Sequence, residues 1–426
     1  MNRRTESRGF SRGCRTAATV NSPLIFLLTA CAALLWALPV DAQHEQHVAA
    51  PDSGWAWAVD SNVFLTGNLQ DRKFRDFHQF ESQNWLMGSA RRKAAGGTLS
   101  LQTMLSFERF TLGADGSSQV FQTSETLGGG PVLDYQHPHD LIMALSGALE
   151  RPLGGATIIF RGGLVDSPAL GPTPFMHRAS AELYPTAPLS HHQLDSSHIT
   201  HGVVTAGIRR GMWQVEGSAF HGREPDEDRL DLDLGQFDSH AVRGTWMSGG
   251  TRAQVSIGWL EDPHVLEPGD VTRVTASIEH AGGLLGRDGA LTFAWGQNRG
   301  QAANEQAWLL ETSIKLWDRG TGYARGEVVD KHILGAGGLH PPGLQHPHII
   351  STVSALTLGY QHELWRTNPG GVANVFAIGG DVTGHLVPDE LDGTGVDQAD
   401  YGRPLSFHVY GRWLFRIGSA PAGSHH

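Results

Sequence analysis

Apolar and polar residues alternate along most of this chain. Leu99, Leu101, Thr103, Leu105 and Phe107 interleave with Ser100, Gln102, Met104, Ser106 and Glu108. Ala253, Val255, Ile257 and Trp259 interleave with Arg252, Gln254, Ser256 and Gly258. Near the end, Phe407, Val409, Gly411, Trp413, Phe415 and Ile417 interleave with His408, Tyr410, Arg412, Leu414 and Arg416. Successive side chains of a strand point to opposite faces, so this period of two predicts strands with one apolar and one polar face. Sixteen such segments can be drawn: 54–67, 77–92, 97–112, 141–151, 155–166, 201–210, 211–222, 236–248, 250–261, 270–281, 289–299, 304–318, 320–332, 349–365, 371–387 and 403–417.

The connections alternate as well. Short ones fall at 94–96, 152–154, 210–211, 249–250, 282–288, 318–320 and 367–370. Long ones fall at 113–140, 167–200, 223–235, 262–269, 333–348 and 388–402, with 68–76 and 300–303 as shorter members of that set. An even number of strands joined by short and long connections in turn predicts an all-β fold, a transmembrane antiparallel β-barrel of about sixteen strands (fourteen to eighteen) over 54–417. A tilted strand crosses a bilayer with about ten residues, half of them facing the lumen. A mean hydropathy of −0.24 is therefore compatible with a membrane protein. A soluble propeller or sandwich is the competing architecture, but it has no need to alternate its loop lengths. Tryptophans near strand ends, among them Trp57, Trp213, Trp246, Trp317, Trp365 and Trp413, suit interfacial girdles.

The first 42 residues stand apart from this pattern. Arg3, Arg4, Arg8, Arg12 and Arg15 precede an apolar run from Leu24 to Val40, and Val40-Asp41-Ala42 offers small residues for cleavage before Gln43. This reads as a secretory signal peptide, 1–42, followed by a short periplasmic segment, 43–53. A lipoprotein box, Leu28-Thr29-Ala30-Cys31, is the weaker cut, because apolar sequence runs on past Cys31. The only two cysteines, Cys14 and Cys31, both lie in the leader, so a disulfide scaffold and a cysteine zinc fold are excluded. The net charge of −11 argues against a nucleic-acid partner.

With these features the chain resembles Gram-negative outer-membrane β-barrels of the porin kind over 54–417, without matching a particular subfamily. The resemblance implies a bacterial outer-membrane location, contact with outer-membrane lipid and lipopolysaccharide, and an aqueous lumen that passes small solutes or ions. Oligomers are compatible with it. One departure is the C-terminus. Such barrels normally end on an aromatic residue, whereas Phe415 is followed here by Arg416, Ile417 and a tail, 418–426.

Most of the 23 histidines fall in the long connections or at the strand ends beside them, and none lies in a short turn. His137-Pro138-His139 and His346-Pro347-His348 each stand where a strand leaves a long connection. Proline holds its neighbours extended, which sends both imidazoles to one side. Asp140 adjoins the first pair, and the 189–201 segment adds His191, His192, His198 and His201. Neutral imidazole is the commonest transition-metal ligand, so these nine residues are the candidate site, for Zn or Cu. Histidines bonded to loop carbonyls would look the same in sequence. Glu224-Pro225-Asp226-Glu227-Asp228-Arg229-Leu230-Asp231-Leu232-Asp233 is oxygen-rich and could take Ca²⁺, or could be solvated loop bridged to lipopolysaccharide.

Alternation also sends Arg161, Arg252, Arg273, Arg412, Arg416, Lys315, Glu108, Glu279 and Glu311 inward. There they either select ions across a water-filled pore or brace its wall. The proline-bearing 167–200 connection is a stiff candidate to fold inward and constrict the lumen. An enzyme is not expected. A lipid-modifying hydrolase built on Asp195, Ser196, Ser197 and His198 is the alternative, and a structural or adhesive barrel is another. No Gly-x-Ser-x-Gly elbow is present. The sequence thus points to a porin-like channel with a His-rich outer vestibule for transition-metal cations.

Overall fold

The computed structural model describes residues 54–70, 77–113, 115–265, 269–301, 303–332, 334, 350–389 and 404–418. The expected leader 1–42, nearly all of the 43–53 and 418–426 segments that flank the barrel, and the second His-Pro-His tripeptide with His346 and His348 lie outside the described residues.

The strands run in chain order. They begin with β1 (Ala56–Gln70), β2 (Phe77–Glu81), β3 (Asn84–Ala94), β4 (Gly97–Leu105), β5 (Ser117–Leu127), β6 (Gly130–Gln136), β7 (Ile142–Leu153), β8 (Ala156–Asp166), β9 (Thr200–Arg210) and β10 (Trp213–Phe220). Then come β11 (Ser239–Ser248), β12 (Thr251–Leu260), β13 (Val271–Leu284), β14 (Arg287–Arg299), β15 (Asn304–Trp317), β16 (Gly320–Lys331), β17 (Ser351–Thr367), β18 (Val372–Leu386) and β19 (Leu405–Ile417).

All but β5 and β6 form one antiparallel sheet. It closes because β1 pairs with β19, from Val59 opposite Ile417 to Gln70 opposite Ser406. β2 and β3 both pair with β1 and form one wall strand interrupted at Ser82 and Gln83. The result is a closed barrel of sixteen wall strands. Its short hairpins use backbone that suits the twist. Ala95 and Gly96 both have positive φ (50° and 74°), the signature of a two-residue type I′ turn.

The wall is inside-out relative to a soluble protein. On β19, Ser406, His408, Tyr410 and Arg412 are buried toward the lumen, while Phe407, Val409 and Trp413 are exposed on the outer surface. That is the face a barrel offers to lipid, with aromatics such as Trp57, Trp213 and Trp317 exposed near the short-turn rim.

Two features depart from the alternation. The strand expected over 97–112 stops at Leu105, and a single turn of helix, α1 (Glu108–Thr111), follows. The hydroxyl of Ser106 accepts the Glu108 N–H (3.1 Å) and the Asn84 side chain accepts the Phe107 N–H (2.8 Å), which replaces ladder bonds by local ones. Glu108 is therefore a residue of the loop end and not of the wall. The long connection after it carries the β5–β6 hairpin.

The 167–199 segment does fold inward. The Ala169 N–H bonds Ser218 Oγ (2.7 Å), the Gly171 N–H bonds Ser256 Oγ (2.9 Å), and Ser180 Oγ pairs with Thr292 (2.7 Å). The Ser190 N–H and hydroxyl both reach Glu327 (3.0 and 2.8 Å). Each partner belongs to a different wall strand, so the segment is pinned across the lumen. Phe175, Met176, Leu183 and Tyr184 form an apolar core inside the barrel with Phe64, Met104 and Tyr410.

Several wall charges are consumed by this arrangement. Glu311 receives Arg178 from the segment (2.6 Å) and Arg325 from the wall (3.0 Å). Arg416 joins Asp60 (3.0 Å) and Glu182 (2.9 Å), and Lys315 joins Glu363 (2.8 Å). Of the two roles the sequence leaves open to these charges, the geometry shows bracing.

Candidate functional site

Every described member of the histidine set lies at the end of the barrel that carries the long connections. His139 arrives just ahead of β7. His191 and His192 stand on a single helical turn, α2 (His191–Leu194), and His198 on the turn after it. Three rings converge. The His191 and His198 centroids are 5.2 Å apart, and those of His139 and His198 are 5.6 Å apart. Phe175 packs against all three, at 5.4 Å from His191, 6.0 Å from His139 and 6.2 Å from His198.

The first tripeptide and the 189–201 segment, about fifty residues apart in the chain, thus form one cluster. His137 and His139 line a common cavity together with Glu108, Phe175 and Trp85.

Each converging ring is held by its Nδ1. His139 Nδ1 is 2.7 Å from Glu108 Oε2, and Glu108 also accepts the His139 backbone N–H (3.0 Å). His191 Nδ1 is 2.7 Å from Asp195 Oδ1, and His198 Nδ1 is 2.8 Å from the Asp195 carbonyl. Asp195 is itself held by Arg178 (2.9 Å).

Burial and charge set the protonation of these groups. Burial drives His137, His192 and His198 well below the ordinary histidine range. Burial works the same way on His139, but the Glu108 carboxylate outweighs it and His139 is raised. Burial would raise Asp195, yet His191 and Arg178 hold it well below the usual carboxylate range.

The remaining candidates do other work. His201 Nδ1 accepts the Asp233 N–H (2.8 Å) and its Nε2 faces Asp140 at 3.4 Å. Asp140 also receives Arg229 (3.3 Å), which ties the acidic segment to the cluster. His192 adjoins the cluster, its ring centroid 5.6 Å from that of His191, and the charges of Glu224 and Lys331 also act on it.

Among the described residues, the one trio of potential ligand atoms already within 4.8 Å of one another is Asp226, Asp231 and Asp233, on the surface of the acidic segment. The Ser-His-Asp set of a hydrolase is not assembled. Ser196 Oγ engages Glu224 (3.3 Å) and Arg273 (2.9 Å), while His198 turns its Nδ1 to the Asp195 backbone.

Sequence reading missed Glu108, Phe175 and Arg178 as parts of this site. Glu108 looked like the next inward residue of a strand, and nothing local marks Phe175 or Arg178.

A closed sixteen-stranded antiparallel barrel with a segment folded into its lumen and long loops at one end is the fold of outer-membrane porins. Neither the protein-family models nor the curated protein sequences include a match to the chain. Solved structures do match its fold. OmpF of Salmonella typhi, solved in complex with daunomycin, superposes with a TM-score of 0.50 at 8% identity, over 84% of this chain and 97% of that one. An anion-selective porin from Comamonas acidovorans gives 0.49 at 10% identity, over 85% and 99%. OprB of Pseudomonas putida gives 0.48 at 10%, over 85% and 94%.

Proposed function

We propose that the protein is an outer-membrane channel for small solutes or ions, narrowed by its 167–199 segment, whose histidine-lined outer end engages transition-metal cations. The observation that carries this reading is the position of the histidine cluster. It is built partly from the segment that crosses the lumen, which sets His139, His191 and His198 at the loop end of the barrel.

Imidazole suits Zn, Cu and Ni, and water-filled barrels select through the side chains that line them. Lipid and lipopolysaccharide would contact the apolar band and the outer loops. The hydrolase alternative lacks a formed Ser-His pair at the place where its residues fall.

Planar-bilayer recording of the purified protein tests the reading. The native chain should give a small conductance that falls on adding Zn²⁺ or Cu²⁺. Replacing 172–192 by a Gly/Ser linker should raise conductance severalfold and remove the metal effect. Absence of ion conductance in both forms would overturn the channel. A native conductance indifferent to these ions would overturn the metal part alone.

A further inference from the structure

We infer a three-imidazole site for one divalent transition-metal ion, of the Zn²⁺ or Cu²⁺ class, formed by the Nε2 atoms of His139, His191 and His198. It rests on the reading that this end of the barrel engages metal cations, and it names the residues and atoms that do so.

The first support is hydrogen-bond polarity. A carboxylate or a backbone carbonyl can only accept, so each Nδ1 held by Glu108, by the Asp195 carboxylate or by the Asp195 carbonyl must be the donor. In the neutral rings that leaves the lone pair on Nε2. Metal-binding histidines characteristically have their second nitrogen held by a carboxylate or a carbonyl, which fixes tautomer and orientation.

The same polarity removes His201. Its Nδ1 accepts the Asp233 N–H, so its proton sits on Nε2, facing Asp140.

The second support is an uncompensated cost. The Nε2 atoms of His139 and His198 are buried with no hydrogen-bond partner in the protein, as are those of the neighbouring His192 and His201. Leaving such groups unsatisfied is costly, and the cost is sustained more readily where a ligand satisfies them.

The third is spacing. A tetrahedral ion stands about 2.1 Å from each ring nitrogen, which places two ligating ring centres about 5 Å apart. The His191–His198 and His139–His198 separations of 5.2 and 5.6 Å are close to that value. The three ring nitrogens do not all lie within 4.8 Å of one another. Binding therefore draws the 106–141 connection and the lumen segment together around Phe175.

The test is Co²⁺ titration of the full-length protein in detergent followed by visible absorption, with Zn²⁺ competition by calorimetry. One ion per chain is expected, with the intense absorption of four-coordinate Co²⁺. His139→Ala, His191→Ala and His198→Ala should each weaken binding at least tenfold, while His137→Ala and His201→Ala should stay within about twofold of the native chain.

Glu108→Gln, which changes a positioning residue, should weaken affinity by about 10–100-fold with unchanged stoichiometry. Heat-modifiable gel mobility reports folding, and a His→Gln variant replaces any Ala variant that does not fold. Native-like binding in all three ligand variants, or equal loss in the His137 and His201 controls, would overturn the assignment and leave metal engagement standing. A native chain that takes up neither Co²⁺, Zn²⁺ nor Cu²⁺ would overturn both.

Discussion

At the scale of single residues, the lumen is held by ionised groups taken out of water in partnered sets. The Arg178 side chain is fully buried between Glu311 and Asp195. Removing one partner of such a set costs more than forming it returns, because a charge is left unpaired in a low-dielectric site. His177 is one titratable weak point of the same segment, along with His192 and His198. Its ring meets Trp85 edge-on at 5.2 Å, and burial, with Arg416 nearby, lowers it from 6.5 to about 4. Undocked, it would protonate near pH 6.5; docked, it resists until about pH 4. Docking is therefore complete above pH 6.5 and loses stability as pH falls through that window. Conductance should rise from pH 7 to pH 4, and His177→Phe should make that rise shallower, the remainder coming from His192 and His198 on the same segment. An unchanged profile in His177→Phe would remove His177 as a cause. Alternation made Glu311 legible as an inward residue, but its partner Arg178 sits in a loop with no period to read.

At the scale of elements, the lumen segment fits because the wall makes room for it. A Cβ on Gly296 of β14 would stand 2.1 Å from the Gln193 carbonyl, and one on Gly258 of β12 would stand 2.8 Å from Leu170 Cδ2. The first contact is with backbone and cannot yield cheaply. Gly296→Ala should push α2 off the wall, destabilise the docked segment by about 1–3 kcal/mol, and raise both conductance and proteolysis within 189–201. A native-like conductance and digest would show that α2 is not seated on β14 as described. The inward course of 167–200 was readable from its length and prolines. The residues that receive it were not, because a wall glycine inside an alternating strand looks like any other glycine.

At the scale of the whole molecule, closure of β1 on β19 leaves no free sheet edge and an outer surface rich in Leu, Val, Phe and Trp. The purified protein should remain soluble only in detergent, run faster on gels unheated than boiled, and show a β-type circular dichroism spectrum. A water-soluble, heat-insensitive monomer would contradict the barrel. Sixteen wall strands and the alternation of turns and loops were legible because both are local. The period follows from strand geometry, and loop length is counted along the chain. The break at Ser82 and Gln83, the turn into α1 and the β5–β6 hairpin were not, since side-chain bonds from distant residues decide them.

The sequence by itself determined the strand period, the two-sided wall and the end of the barrel at which histidines gather, because each depends on residues near one another in the chain. Only the tertiary structure decided that a segment braced against the wall crosses the lumen, that Glu108 leaves the wall to hold His139, and that His139 and His191 both meet His198, His139 from about sixty residues away. Those outcomes depend on which inward side chains face each other once the sheet has closed, and chain order carries no record of distance across a barrel.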